Sequence, residues 1–314
     1  MTGVITGFAI ILAVIAVGVI LSRTGVIRED RERLVLNRVA FYAASPALLF
    51  TAVAKSDAGT LFSPVIVVIF LATLGTALVY IVASALFFRQ DLPTTTMGAA
   101  SACYFNSVNI GLPVSIYVLG EATYVVPVLV LQMVVFTPFI LAGLVAGDDG
   151  DSGSRSRLAK IWGPVRTAIF SPVVIGSVLG LIVALVGLQI PDPVMRPLEI
   201  LGGASIPMIL ISFGASLRNT APLTTPEDRP GTITATALKL VGMPAIAWGI
   251  ALALGLEGNE LYASVILAAL PAAQNVYNFA ASYQRGMIIA RDTVFITTFG
   301  SLPVMLAIAL LFGR

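Results

Sequence analysis

Asn106-Ser107-Val108-Asn109-Ile110-Gly111-Leu112-Pro113 is a polar run ending in proline, set inside a stretch otherwise apolar enough to cross a bilayer. Polar backbone at membrane depth is tolerated only where it is buried in protein or lines a cavity. A second interruption, Pro271-Ala272-Ala273-Gln274-Asn275-Val276-Tyr277-Asn278, stands in the corresponding late part of the chain. Paired interruptions in the two halves of a membrane chain point to the substrate site of a transporter.

The rest of the composition agrees. Of 314 residues, 58% are hydrophobic and 11% charged, and the mean hydropathy is +0.98. Soluble domains carry roughly 25% charged residues, so a water-soluble globule is excluded and a polytopic protein of the lipid bilayer is expected. A net charge of +2 gives no case for nucleic acid. Cys103 is the single cysteine and cannot form an internal disulfide. Histidine is absent, which removes the commonest general base, nitrogen metal ligand and proton shuttle. No metal, cofactor or enzyme activity is expected. Met1-Thr2-Gly3-Val4 leads straight into about 20 apolar residues without a basic n-region, and reads as a retained first span.

With about 20 residues per span, ten helices are expected near 3–22, 34–54, 61–88, 95–120, 123–147, 166–188, 196–217, 232–255, 259–283 and 291–313. Of the 18 basic residues, thirteen fall in the odd-numbered connections, three (Lys55, Arg196, Arg314) on the opposite side, and Arg38 and Lys239 within spans. The positive-inside rule then puts the odd connections in the cytoplasm and both termini outside. Gly147-Asp148-Asp149-Gly150-Asp151-Ser152-Gly153-Ser154-Arg155 opens a flexible cytoplasmic linker over 148–165. It divides the chain into five-helix repeats, 1–147 and 166–314. Five spans in each half make any repeat inverted. A weak repeat is visible: Ser45-Pro46 in the second span against Ser205-Ile206-Pro207 in the seventh, and Pro113 against Pro271.

A proline inside a helix removes a donor and frees the carbonyl four residues earlier, here those of Asn109 and Leu267. Gly111 adds backbone freedom beside the first break. Beyond each proline a half-helix would begin with unpaired amides and a positive dipole end. In an inverted pair these ends converge near the midplane and attract an anion. Asn106, Asn109, Gln274, Asn275 and Asn278 could surround that point with neutral donors and acceptors, with hydroxyls from Ser107 and Tyr277. The alternative is that the amides only satisfy broken backbone or glue helices together. Lys239 could be a counter-charge for substrate, or its stem could snorkel to the interface. Arg38 reads as an interfacial anchor. No carboxylate sits at mid-membrane, which weakens an ion-coupled model.

At these residues the chain resembles the auxin efflux carrier family, which includes the plant PIN proteins and bacterial malonate-transporter-like permeases. The most specific match is Asn106 to Pro113 in the fourth span, supported by Leu270-Pro271-Ala272-Ala273-Gln274-Asn275 in the ninth. The resemblance implies an all-α membrane protein whose fourth and ninth helices cross at broken centres, with Asn109, Pro113, Pro271 and Asn275 at the crossover. It further implies a scaffold of spans one, two, six and seven and a moving domain of spans three to five and eight to ten. The scaffold's small residues Gly202, Gly203, Ala204 and Ser205 could pack a homodimer through spans two and seven. The implied function is elevator-like carriage of small organic anions, auxin-like aromatic acids or dicarboxylates, across the cell (inner) membrane. A sodium-coupled carrier of the bile-acid symporter type, with crossed broken helices of its own, and a channel are the competing readings.

Overall fold

Prolines set the shape of the helices. In the computed structural model, residues 2–28, 30–55, 63–120, 124–146, 166, 170, 172–215 and 222–313 are described. Among them the secondary structure is helical apart from one isolated β-bridge. The linker expected over 148–165 lies outside the described residues.

The first half contains α1 (Thr2–Arg23), α2 (Asp30–Val39), α3 (Ser45–Ala54), α4 (Val65–Ala83), α5 (Leu92–Cys103), α6 (Leu112–Tyr117), α7 (Val125–Leu131) and α8 (Thr137–Ala146). The second contains α9 (Pro172–Val186), α10 (Asp192–Gly203), α11 (Ser205–Ala215), α12 (Arg229–Ala237), α13 (Met243–Ala253), α14 (Gly258–Ala268), α15 (Gln274–Tyr283) and α16 (Met287–Leu311). Wide π-turns at Ala40–Ala44, Ser107–Gly111, Gln132–Phe136 and Leu238–Gly242 lead into α3, α6, α8 and α13. Each of these four helices carries a proline at its second residue: Pro46, Pro113, Pro138 and Pro244. A proline cannot donate to the carbonyl four residues back and its ring crowds that carbonyl, so the preceding turn widens by one residue. The widened bonds run from Ser45 N to Ala40 O, Gly111 N to Asn106 O, Thr137 N to Gln132 O and Met243 N to Leu238 O.

Five helical runs among the described residues are long and apolar enough to cross a membrane: Arg31–Ala54, Val65–Phe88, Asp192–Ala215, Pro226–Ala253 and Met287–Leu311. Ala9–Arg23 and Val174–Val186 are shorter apolar helices. The interrupted stretches 92–117 and 258–283 are not among them because neither is one continuous helix.

The helices pack in two groups. In one, α1 lies along α11, and α3 along α9 and α10. In the other, α4 packs on α5 and α13, α5 on α8, α12 and α16, α13 on α14, and α15 on α16. Lipid tails supply no hydrophobic drive between helices, so small residues and polar contacts do this work. A Cβ on Gly18 would strike the backbone of Ile211, and one on Gly214 that of Ile15, so the two glycines let α1 and α11 meet backbone to backbone. The hydroxyls of Ser45 and Ser205 meet at 2.7 Å, fully buried. This places the small residues expected to pack a homodimer differently: Ser205 is taken up by Ser45, and a Cβ on Gly202 would meet Leu48 of α3. A Cβ on Gly203 would meet nothing within 4 Å.

Candidate substrate site

The first interruption comes earlier than its proline suggests. Helix α5 stops at Cys103, Tyr104 is extended (φ −86, ψ 107), and residues 107–117 are already helical again. Pro113 therefore sits inside the resumed helix and shapes its wide first turn, while the chain is unwound at 104–106. The second interruption matches expectation more closely: α14 stops at Ala268, Pro271 lies in the unwound segment, and α15 begins at Gln274. The carbonyl of Leu267 is not left over, since Leu270 N donates to it at 3.3 Å.

The two unwound segments are bonded to one another. Phe105 and Ala272 form an antiparallel bridge. Asn106 N donates to Pro271 O at 2.8 Å, and Ala273 N donates to Tyr104 O at 2.9 Å. The remaining groups are met from other helices, as backbone withdrawn from water requires. Gln132 Nε2 donates to Phe105 O at 2.9 Å, and its Oε1 accepts from the Ser107 hydroxyl. Ala272 N donates to Thr297 Oγ1 at 3.0 Å. Lys239 Nζ donates to Ala268 O at 2.6 Å.

On one side of this bridge lies a cavity of about 310 Å³. Asn106, Asn109, Gln274, Asn275 and Asn278 line it, with Ser107 beside them. Asn106 is partly spent: its Oδ1 accepts from Asn109 N at 3.0 Å and caps the resumed helix. The side-chain amides of Asn109, Gln274 and Asn275 have no hydrogen-bond partner among the described residues. They surround the starts of both resumed helices, whose first N–H groups carry partial positive charge.

Five other expected site residues are placed elsewhere. Gly111, Pro113 and Pro271 are buried in the backbone around the bridge and do not line the cavity. Lys239 is 0% exposed, so its stem does not snorkel to an interface. It does not line the cavity either: its ammonium also contacts Met243 Sδ at 3.1 Å and stands 5.3 Å from the Phe105 ring centroid. It serves the carbonyl end of α14, where a cation complements the helix dipole. Tyr277 lines a separate pocket with Thr94, Asp228 and Arg291.

Residues that sequence reading missed complete the cavity wall and the bonding of the bridge. Gln132 is 2% exposed and lines the cavity; a glutamine inside Val130-Leu131-Gln132-Met133-Val134 was the signal for it. Thr297, one hydroxyl among many in α16, gave no such signal. Arg38, Phe41, Tyr42 and Ser45 come from the α2–α3 run. Arg38 is thus a wall of the cavity rather than only an anchor.

An all-helical membrane chain with two unwound segments bonded back to back, and unspent amides over a cavity, defines an integral membrane transporter. The family described as "Membrane transport protein" matches residues 3–148 and 157–309. The chain belongs to this family, the auxin efflux carrier family. It is 24% identical over 303 residues to an uncharacterized transporter of Methanocaldococcus jannaschii, covering 94% of each chain. It is 27% identical over 266 residues to a Rhizobium meliloti protein named "Putative malonate transporter", covering 84% of this chain and 82% of that one. It is 28% identical over 164 residues to auxin efflux carrier component 3 of Arabidopsis thaliana, which spans 51% of this chain and 25% of the plant protein. The family and these relatives are transporters, not enzymes.

Proposed function

We propose that the chain is a secondary carrier for small organic anions, auxin-like aromatic acids or dicarboxylates, in the cell (inner) membrane. The observation that carries this reading is the set of unspent amides of Asn109, Gln274 and Asn275 around two helix starts on one cavity. Neutral donors and helix ends can bind a carboxylate without a permanent ion pair to break on release. No carboxylate among the described residues lines the cavity, so nothing there repels an anion.

In the proposed topology, ten spans form two inverted five-helix repeats, 1–147 and 166–314, joined by 148–165. Both termini are outside, and the fourth and ninth spans cross. Mirrored packing supports the repeat: α1 on α11 answers α9 on α3, and α4 on α5 answers α13 on α14. The two packing groups suit a scaffold of spans one, two, six and seven, dimeric in the membrane, and a transport domain of the remaining six that moves as an elevator. Residues from both proposed domains line the cavity, which supports this division: α2–α3 and α11 from the one, both interruptions with Leu129 and Gln132 from the other.

The test is uptake by purified protein in liposomes across a panel of mono- and dicarboxylates, with and without sodium. Saturable uptake of at least one acid is expected. Asn109→Ala and Asn275→Ala should each lower it about tenfold, since one lost hydrogen bond to a charged group is worth about 1.5–3 kcal/mol. Strict sodium dependence would move the protein to the bile-acid symporter type. Unsaturable single-channel currents would make it a channel.

A further inference from the structure

We infer that Arg38 is the charge-reading residue of this cavity, pairing with a second carboxylate of the substrate while the amides at the two helix starts hold the first. The inference rests on the anion-carrier reading above and names the substrate class of the same site: a dicarboxylate rather than a monocarboxylate.

Arg38 is the sole formally charged side chain among the described residues lining the cavity. It comes from α2, a different helix from those that flank the unwound segments, and has no ion-pair or hydrogen-bond partner among the described residues. An unpaired guanidinium beside a cavity offers a planar fork of donors that fits a carboxylate edge-on. The charge tally then favours a dianion. Each helix start counts as roughly +0.5 of an elementary charge, so two starts and a guanidinium present roughly two positive charges to an occupant. A monoanion would satisfy the helix starts and leave the guanidinium unmatched, or the reverse. Tyr42, one turn beyond Arg38, and the amides give the wall a polar character that suits a short dianion. Phe41, Leu34 and Ile209 offer some apolar surface, which keeps a monocarboxylate admissible as a weaker ligand.

Arg38 is exposed, so replacing it leaves no buried group unpaired and folding is expected to survive. The experiment compares malonate, succinate and indole acetate uptake in liposomes for wild type, Arg38→Gln and Arg38→Lys, after matching their thermal unfolding. Arg38→Gln should raise the half-saturating malonate and succinate concentrations about tenfold or more and change that of indole acetate less than about threefold. Arg38→Lys should fall between, because an ammonium keeps the charge and loses the fork. An equal shift for both acid classes, or no shift for either, would overturn the inference and leave the carrier reading standing. So would a wild type that carries indole acetate but neither dicarboxylate. A wild type that carries no acid would overturn the carrier reading as well.

Discussion

The two interruptions solve one problem with different parts. At the first, much of the repair is local: Asn106 caps its own helix through Asn109 N, and Gly111 N reaches back to Asn106 O. At the second, Ala273 caps α15 without a side-chain bond, and the repair comes from afar. Thr297 of α16 takes Ala272 N, and Lys239 of the α12–α13 run takes Ala268 O. A break closed by its neighbours can be recognised in a short stretch of sequence, and a break closed by other helices cannot. The motif Asn106 to Pro113 is therefore denser in chemistry than Pro271 to Asn278, although both segments contribute equally to the bridge.

This contrast predicts unequal costs. The largest belongs to Lys239, whose ammonium is fully buried on the carbonyl end of α14. Lys239→Met keeps the stem's bulk but orphans that carbonyl, and should destabilise the protein by about 2–3 kcal/mol, the price of a lost charge-assisted bond in a dry site. Chemical unfolding in detergent would measure it. If uptake alone fell and stability held, Lys239 would belong with the substrate and the division between the two faces of the bridge would fail.

Gln132→Leu ranks next. It removes the donor to Phe105 O and the acceptor for Ser107, and should cost about 1–3 kcal/mol. Gln132→Glu, which keeps the acceptor, should recover part of that loss in the same unfolding assay. Asn106→Ala should cost least, about 1 kcal/mol, the usual worth of an N-cap, and Asn106→Asp should restore it. A cost at Asn106 as large as that at Lys239 would erase the distinction between local and remote repair.

The same logic marks what could be read in advance. Asn106, Asn109, Gln274, Asn275 and Asn278 stood out because amides are expensive in lipid and need a reason to be there. All five line the cavity. Gly111, Pro113 and Pro271 were legible as backbone breakers, but only Pro271 lies in an unwound segment; Gly111 and Pro113 lie inside the resumed helix, and none of the three lines the cavity. Lys239 could be noticed but not placed. A lone lysine in a span suits a substrate, a dipole end or an interface equally well until the helices are packed. Arg38, one turn into the second span, reads from sequence as an interfacial anchor, and its place on the cavity wall depends on how the helices pack.

Composition alone determined that the chain lives in a membrane: at 58% hydrophobic and 11% charged it has no soluble core-and-surface solution. Proline positions marked four places where a helix widens, ahead of Pro46, Pro113, Pro138 and Pro244, because a missing N–H is a local fact. Tertiary structure decided that the amides line a cavity and that Lys239 is buried on the end of α14 away from it. It also decided that the chain unwinds at Tyr104 to Asn106 rather than at Pro113. The physical reason is pairing. Unwound backbone within a bilayer persists only where another segment supplies its hydrogen bonds, and Pro271 to Ala273 supply them to Tyr104 and Asn106 from more than half the chain away.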